Sequence, residues 1–189
     1  RDAVGLFDVS HMGQLLIEGT GATKALEQLV PAALQEMIPG QIRYSQLTLN
    51  NGGILDDLML TRLDGEYWGL VVNGACKYGD MDHLKKYLPA GVTMRYLDNY
   101  SLIAVQGPKA RRILSQLIPE AEKLVFMRST QTLWNGHDIT LSCCGYTGED
   151  GYEISIAKQF ARELAEALTQ LKETTWVGLG ARNSLRLET

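Results

Sequence analysis

The chain has 189 residues, of which 45% are hydrophobic and 21% are charged, a balance typical of a globular protein. Its formal net charge of −4 argues against a nucleic-acid-binding surface, and its apolar runs fall short of the roughly 18 residues that span a membrane. Its three cysteines, Cys76, Cys143 and Cys144, lack metal-ligand spacing and do not form a disulfide framework, which favours a reducing compartment.

The first half of the chain alternates strand-like and helix-like segments. A short strand is predicted at 13–19, and the helical spacing that follows it is broken at Pro31. A later helix is predicted from Lys77 to Leu88, before Pro89, and the segment VTMRYLD then returns as a strand. Between the two helices, three strands joined by tight turns are predicted at 42–49, 54–63 and 66–73. This order indicates a split β-α-β unit, an antiparallel sheet with helices on one face.

The second half repeats this pattern. SLIAVQG is a predicted strand, and Gly107-Pro108 opens a helix with proline in its first turn. TQTLW and DITLSCCG are expected to pair across Asn135-Gly136, and GYEISIA precedes an amphipathic helix at 158–171. Because no Ser- or Pro-rich linker separates the halves, the sequence predicts an α+β chain of two modules packed together.

Two adjacent carboxylates, Asp56 and Asp57, stand inside the apolar strand ILDDLML. Successive side chains of a strand point to opposite faces, so we expect separate roles rather than a shared carboxylate site. One interpretation is that either acid binds the turn amides that follow Gly53. The other is that one acid faces a ligand cavity, where burial makes it a proton acceptor or hydrogen-bond partner. The strand alone leaves both open.

Two further segments carry candidate binding residues. In GYTGEDGYE, Glu149 could accept two parallel N–H donors, such as those of an aminopyrimidine edge, or could be a solvated acid in a turn. In GLGARNSLRLE, Arg182 and Arg186 lie four residues apart on one helix face. They could bind neighbouring acids, or an arginine there could hold a ligand carboxylate or carbonyl.

Other familiar chemistries are not indicated. In FDVSHMG, Asp8, Ser10 and His11 lie too close in sequence for a catalytic triad, and no G-x-S-x-G segment is present. The histidines are scattered, so we expect no metal site, and the sequence has no phosphate-binding loop.

Six segments, GLFDVSHMG, NNGGILDDL, VVNGA, AVQGP, GYTGEDGYE and GLGARNSLRLE, occur in one order and cover essentially the whole chain. Together they resemble the aminomethyltransferase, or T-protein, family of the glycine cleavage system. Related folate-binding proteins share part of the series, namely the C-terminal domains of dimethylglycine and sarcosine dehydrogenases and a folate protein of iron–sulfur assembly. The Lys-Gly-Cys-Tyr-x-Gly-Gln motif of the last is replaced here by Gly-Ala-Arg.

The resemblance implies two interleaved ferredoxin-like modules with antiparallel sheets and helices on one face. One module comprises 1–14 and 101–189 and the other comprises 15–100, without the barrel-like C-terminal domain of the family. It also implies an enzyme that transfers the aminomethyl carbon from lipoylated H-protein to tetrahydrofolate, giving 5,10-methylenetetrahydrofolate and ammonia. No metal, nucleic acid or membrane is implied, and the location would be the bacterial cytoplasm or the mitochondrial matrix.

The resemblance also assigns site residues. Asp56 is the catalytic residue, close to the reacting nitrogens of the folate, where a carboxylate in a dry cavity stabilises a cationic carbon and can take up a proton. Asp57 is then structural. The residues implied to bind the folate or line its cavity are Glu149 at the pterin edge, Arg182, Asn73 and Met12.

The family usually has Arg-Asp where this chain has Arg182-Asn183, which removes an acidic partner within the helix. Two alternatives stay open at this point. One is a non-catalytic, regulatory folate-binding module on the same scaffold. The other is the folate domain of a dimethylglycine or sarcosine dehydrogenase, which predicts a flavin-binding segment upstream of Arg1.

Overall fold

A computed structural model describes residues 1–188, which form two compact units. The first unit contains Arg1–His11 and the chain from Asn99 onward, and the second contains Met12–Asp98. Compared with the predicted modules, Met12 to Gln14 belong to the second unit instead of the first, and Asn99 and Tyr100 belong to the first unit instead of the second. None of the helices in residues 1–188 combines the length and the apolar character that crossing a membrane requires.

The two units are built from eleven strands and five helices, with one 3₁₀ turn, over the described residues. The elements follow in chain order: β1 (Val4–Asp8), β2 (Gly13–Glu18), α1 (Ala22–Glu27), β3 (Ile42–Thr48), β4 (Ile54–Asp64), β5 (Tyr67–Val72), α2 (Lys77–Tyr87), β6 (Thr93–Tyr96), β7 (Tyr100–Gln106), α3 (Ala110–Leu114), the 3₁₀ turn (Pro119–Glu122), β8 (Arg128–Trp134), β9 (His137–Cys143), β10 (Gly151–Ala157), α4 (Lys158–Gln170), β11 (Thr174–Trp176) and α5 (Leu179–Leu187).

The second unit is an antiparallel five-stranded sheet in the order β3-β4-β5-β2-β6. Both of its helices pack on the sheet through one apolar core, in which Leu26 of α1 and Leu84 of α2 join Leu58 and Leu60 of β4. All four side chains are at most 3% exposed, so burial of this face is the main stabilising contribution to the unit.

The first unit is a six-stranded sheet in the order β11-β1-β7-β10-β9-β8. Its pairs are antiparallel except for β1 and β11, which run parallel. Helices α3 and α4 contribute Ile113, Leu164 and Leu168 to a core with Val105 and Ile154 of the sheet. The prediction of an α+β chain with two sheets covered by helices is therefore confirmed.

Two helices are shorter than their sequence pattern predicted. Helix α1 ends at Glu27, four residues before Pro31, because the Glu27 carboxylate accepts hydrogen bonds from the backbone N–H groups of Leu34 (2.7 Å) and Gln35 (3.3 Å). Helix α3 ends at Leu114, and the Arg111 guanidinium donates to the carbonyls of a following segment, Ala121, Glu122 and Leu124. In both places a side chain binds backbone groups and holds the chain in a turn.

Candidate functional site

A β-bulge sets the direction of the acids in β4. Thr48 pairs with Ile54 and Leu47 pairs with Asp56, so Leu55 is an extra residue in the β4 ladder. Beyond the bulge, Asp56 shares its face of the sheet with the buried Leu58 and Leu60. Asp56 therefore ends an apolar row that the helices cover.

Asn73 binds both acids. Its Nδ2 atom donates to Asp56 Oδ1 (3.0 Å), to Asp57 Oδ1 (2.5 Å) and to the Asp57 carbonyl (3.3 Å). The two acids therefore share one amide donor, and the expectation that they have separate roles stays a prediction. Asn73 follows Val72, the residue of β5 that pairs with Leu58, so its amide lies at the strand end and reaches both side chains.

The turn before β4 does not use these acids. The Gly53 N–H donates to Asn51 Oδ1 (3.0 Å) instead. Asp57 Oδ2 accepts a hydrogen bond from the Tyr44 hydroxyl (2.8 Å). Asp56 and Asp57 accept side-chain hydrogen bonds from Asn73 and Tyr44, and among the described residues no hydrogen bond from the turn amides to either acid supports the other interpretation.

Two further residues, Asp80 and Cys76, lie near Asp56 and were not predicted from the sequence. Asp80, in the first turn of α2, is 1% exposed, and its burial, with the nearby charge of Asp56, raises its pKa to about 7. Cys76 is exposed at the N-terminus of α2, and the negative charge of Asp56 is the main cause that raises its thiol pKa. Asp80 lies four residues before the buried Leu84, a spacing that places it on the core face of the helix and could have identified it.

Met12, the other predicted cavity residue in this unit, is half-buried in the bend before β2. No group of three or more His, Cys, Asp or Glu side chains in the described part of the chain could hold a metal ion.

In the first unit, the loop that carries Glu149 is held by a buried amide. Gln106 Nε2 donates to the Cys144 carbonyl (3.0 Å), and Gln106 Oε1 accepts from the Thr147 hydroxyl (3.0 Å). A Cβ atom at Gly145 would lie 1.8 Å from Gln106 Oε1, and one at Gly151 would lie 2.2 Å from Gln106 Nε2. Glycine is therefore required at positions 145 and 151, because a side chain at either would overlap the Gln106 amide.

Glu149 is a partly buried carboxylate with a cationic partner. Its side chain is 30% exposed, and Arg1 Nη1 donates to its Oε1 atom (3.2 Å). The same Arg1 Nη1 donates to the Thr147 carbonyl (2.7 Å), and Arg1 Nη2 donates to Glu188 (3.0 Å). Glu149 lines a cavity of about 250 Å³ with Gln106. Glu149 is therefore not a fully solvated acid in a turn.

Arg182, near the start of α5, faces the largely buried acid Glu153. Its Nη2 atom lies 4.0 Å from Glu153 Oε1, and the two side chains are 12% and 13% exposed. Its guanidinium also lies 5.4 Å from the Tyr146 ring centroid and 6.0 Å from that of Phe7. Burial raises the pKa of Glu153, and the charge of Arg182 opposes that shift.

Arg182 has unused hydrogen-bonding capacity. Among the residues that the structure describes, its Nη1 atom is buried and has no acceptor. The second arginine of this helix face, Arg186, donates to the Tyr146 hydroxyl (3.0 Å). Both interpretations of Arg182 remain open. Its guanidinium lies beside the acid Glu153, and its Nη1 atom is a donor that a ligand oxygen could use.

The structure brings some of the predicted residues together. Asp56 and Asn73 are in direct contact in the second unit. Glu149 and Arg182 belong to the first unit, where Glu149 contacts Arg1 and Arg182 contacts Glu153.

Residues 1–189 match the family described as the GCVT N-terminal domain. The probable mitochondrial aminomethyltransferase of Schizosaccharomyces pombe is 38% identical over 192 residues, covering 100% of this chain and 50% of that protein. The aminomethyltransferase of Exiguobacterium sibiricum is 39% identical over 190 residues, covering 100% of this chain and 52% of that protein.

The crystal structure of glycine cleavage system aminomethyltransferase T from Bartonella henselae is similar at a TM-score of 0.93 and 38% identity, over 100% of this chain and 51% of that one. The chain thus spans about half the length of the relatives it matches. These similarities confirm the resemblance that the six segments indicated. The chain belongs to the GCVT N-terminal domain family.

Proposed function

We propose that this chain is the folate-binding part of a tetrahydrofolate-dependent aminomethyltransferase of the glycine cleavage system. In this proposal the carbon of an aminomethyl group passes from the lipoyl arm of H-protein to tetrahydrofolate. The products are 5,10-methylenetetrahydrofolate, ammonia and the dihydrolipoyl arm. Membership of the GCVT N-terminal domain family supports the proposal.

The hydrogen bonding and burial of the Asp56 carboxylate are the main structural support for this function. Its Oδ1 atom is held by Asn73 at 3.0 Å, and its Oδ2 atom is buried without a hydrogen-bond donor among the described residues. A fixed carboxylate at the end of an apolar row is suited to stabilise a carbon that gains positive charge as it leaves sulfur. It can also accept a proton from the attacking amine. We assign the catalytic role to Asp56, orientation to Asn73 and a structural role to Asp57.

Glu149 and Arg182 are proposed to bind the folate. The Arg1 guanidinium donates an N–H to Glu149, which illustrates the kind of donor that the aminopyrimidine edge of a pterin would present there. The buried, unpaired Nη1 atom of Arg182 is available for a carbonyl or carboxylate of the ligand. Met12 is proposed to contribute apolar surface to the cavity.

The proposed partner is lipoylated H-protein, with tetrahydrofolate as co-substrate. Two relatives carry mitochondrial names, in Schizosaccharomyces pombe and Dictyostelium discoideum, and others are bacterial. The corresponding proposal is a mitochondrial matrix location in a eukaryote and a cytoplasmic one in a bacterium.

A single-turnover assay of the intact protein tests the function. Aminomethylated H-protein and tetrahydrofolate are mixed with the protein, and we expect 5,10-methylenetetrahydrofolate and ammonia to form in equal amounts. Omission of tetrahydrofolate, and H-protein without the aminomethyl group, are the controls. Binding of tetrahydrofolate without any transfer of carbon would reject the enzyme and favour a non-catalytic folate-binding module.

The substitution Glu149→Gln tests the pterin contact. The new amide presents a donor to the N–H groups of the pterin, and the mismatch is expected to weaken tetrahydrofolate binding by about 1–3 kcal/mol. Isothermal titration calorimetry measures the change. Asp150→Asn, the same kind of substitution at the adjacent exposed acid, is the matched control and is expected to bind like the wild type. Equal affinity of Glu149→Gln and the wild type would refute the assignment.

A further inference from the structure

Two carboxylate oxygens of the second unit, Asp56 Oδ2 and Asp80 Oδ2, are buried and have no hydrogen-bond donor among the described residues. Asp56 lies on the face of β4 that α2 covers, and Asp80 is buried on the core face of α2, where Asp56 is the main neighbouring charge that raises the Asp80 pKa. Neither group can donate when both are ionised, so a bond between them requires one proton. That single proton would satisfy both orphaned oxygens at once.

We propose that Asp80 is a positioning residue that carries this proton and donates it to Asp56, so that the pair bears one negative charge and Asp56 is held at both of its oxygens. Asn73 fixes Oδ1 from the end of β5, and Asp80 fixes Oδ2 from α2. The effect of Asp80 on turnover rests on the proposed role of Asp56, whereas the shared proton itself does not.

The surroundings favour placing the proton on Asp80. Asp80 is 1% exposed, whereas Asp56 is only half-buried and already accepts a hydrogen bond from Asn73. Burial disfavours the charged form of a carboxyl group, and a hydrogen bond to the ionised form favours it. Asp80 is therefore the member of the pair that stays neutral.

The other groups that face the pair act in the same direction. Asp57 on β4 adds a second negative charge near Asp80, and Cys76 at the N-terminus of α2 is kept as a neutral thiol by the same acids. The N-terminus of α2 favours an anion in its first turn, but burial and the neighbouring carboxylates outweigh it, since the pKa of Asp80 is raised to about 7.

The sign of the pH dependence follows from this shift. Because the pKa of Asp80 is raised from 3.8 to about 7, the folded protein holds the proton more tightly than the unfolded chain does. The contribution of Asp80 to the free energy of unfolding is thus fully present below about pH 4 and is lost as the pH rises to about 7. Above that pH the Asp56 carboxylate loses its donor and faces a second negative charge.

Carboxyl ¹³C NMR of the intact protein, with pH varied from 4 to 9, tests the shared proton directly. We expect the Asp80 resonance, assigned with Asp80→Asn, to titrate near pH 7, and the Asp56 resonance to respond at the same pH. Asp82→Asn, at an exposed acid of the same helix, is the matched control and should leave this titration unchanged. An Asp80 resonance that titrates below pH 5 would overturn the proposal.

Turnover of the variants separates positioning from a merely structural role. Asp80→Ala is expected to lower kcat about tenfold with the KM for tetrahydrofolate unchanged, and Asp80→Asn to restore most of it, because the amide also donates to Asp56. Wild-type kcat should fall above about pH 7, and Asp80→Asn should lose that fall. Equal kcat of Asp80→Ala and the wild type, or an unchanged pH profile in Asp80→Asn, would contradict the role. If the wild type transfers no carbon, the proposed function fails while the NMR titration still decides the shared proton.

Discussion

Replacing Asp56 by Asn is expected to lower kcat by about 10²–10³-fold and to change tetrahydrofolate affinity by less than about 1 kcal/mol. The amide keeps the size of the side chain and an oxygen that can accept from Asn73. It lacks the negative charge that would stabilise a cationic carbon and cannot take up a proton. The loss is therefore expected in the chemical step rather than in binding.

The measurement is single-turnover transfer from aminomethylated H-protein in the intact protein, with tetrahydrofolate affinity determined separately by calorimetry. Asp57→Asn is the matched control, because Asp57 is the adjacent residue and binds the same Asn73 amide. Its kcat is expected to fall far less than that of Asp56→Asn. Turnover of Asp56→Asn equal to that of the wild type would reject Asp56 as the catalytic residue, and equal losses in both variants would point to disruption of Asn73.

Local signals in the sequence predicted most of the fold. The turn between β8 and β9 has Asn135 and Gly136 at φ angles of 48° and 79°, the left-handed backbone that an Asn-Gly hairpin turn requires. Strands β1 and β11 were not predicted. They have five and three residues, too few for alternation to be distinctive, and their pairing joins Val4 to Thr174, which local sequence does not reveal.

The candidate site, like the fold, could be predicted from the sequence only in part. The alternation of the strand left open whether Asp56 or Asp57 faces the core side of β4, because the extra residue Leu55, which only the pairing with β3 reveals, shifts the alternation there. The influence of Asp56 on Asp80 depends on how α2 packs on the sheet, and an acid in the first turn of a helix is ordinary. The contact of Arg1 with Glu149 joins residues 148 positions apart and is visible only in the folded chain.

Replacing Arg182 by Met is expected to lower the free energy of unfolding by about 3 kcal/mol at neutral pH, because Glu153 is then a buried charge without its partner. Arg182 opposes the burial that raises the pKa of Glu153, so its removal raises that pKa further. A carboxyl group whose pKa is raised in the folded state lowers stability as the pH rises above its unfolded value. The loss should therefore be small near pH 4 and largest above neutral pH.

Urea unfolding of the intact protein at pH 4.5 and pH 8, followed by circular dichroism, measures this effect. The double variant Arg182→Met/Glu153→Gln removes the charge together with its partner and is expected to recover most of the lost stability at pH 8. Arg162→Met is the matched control. It breaks an exposed ion pair with Glu166, in which the Arg162 side chain is 90% exposed, and should leave the free energy of unfolding nearly unchanged at both pH values. The same loss at both pH values, or no recovery in the double variant, would show that Arg182 stabilises this unit through its contacts with Tyr146 and Phe7 rather than through its charge.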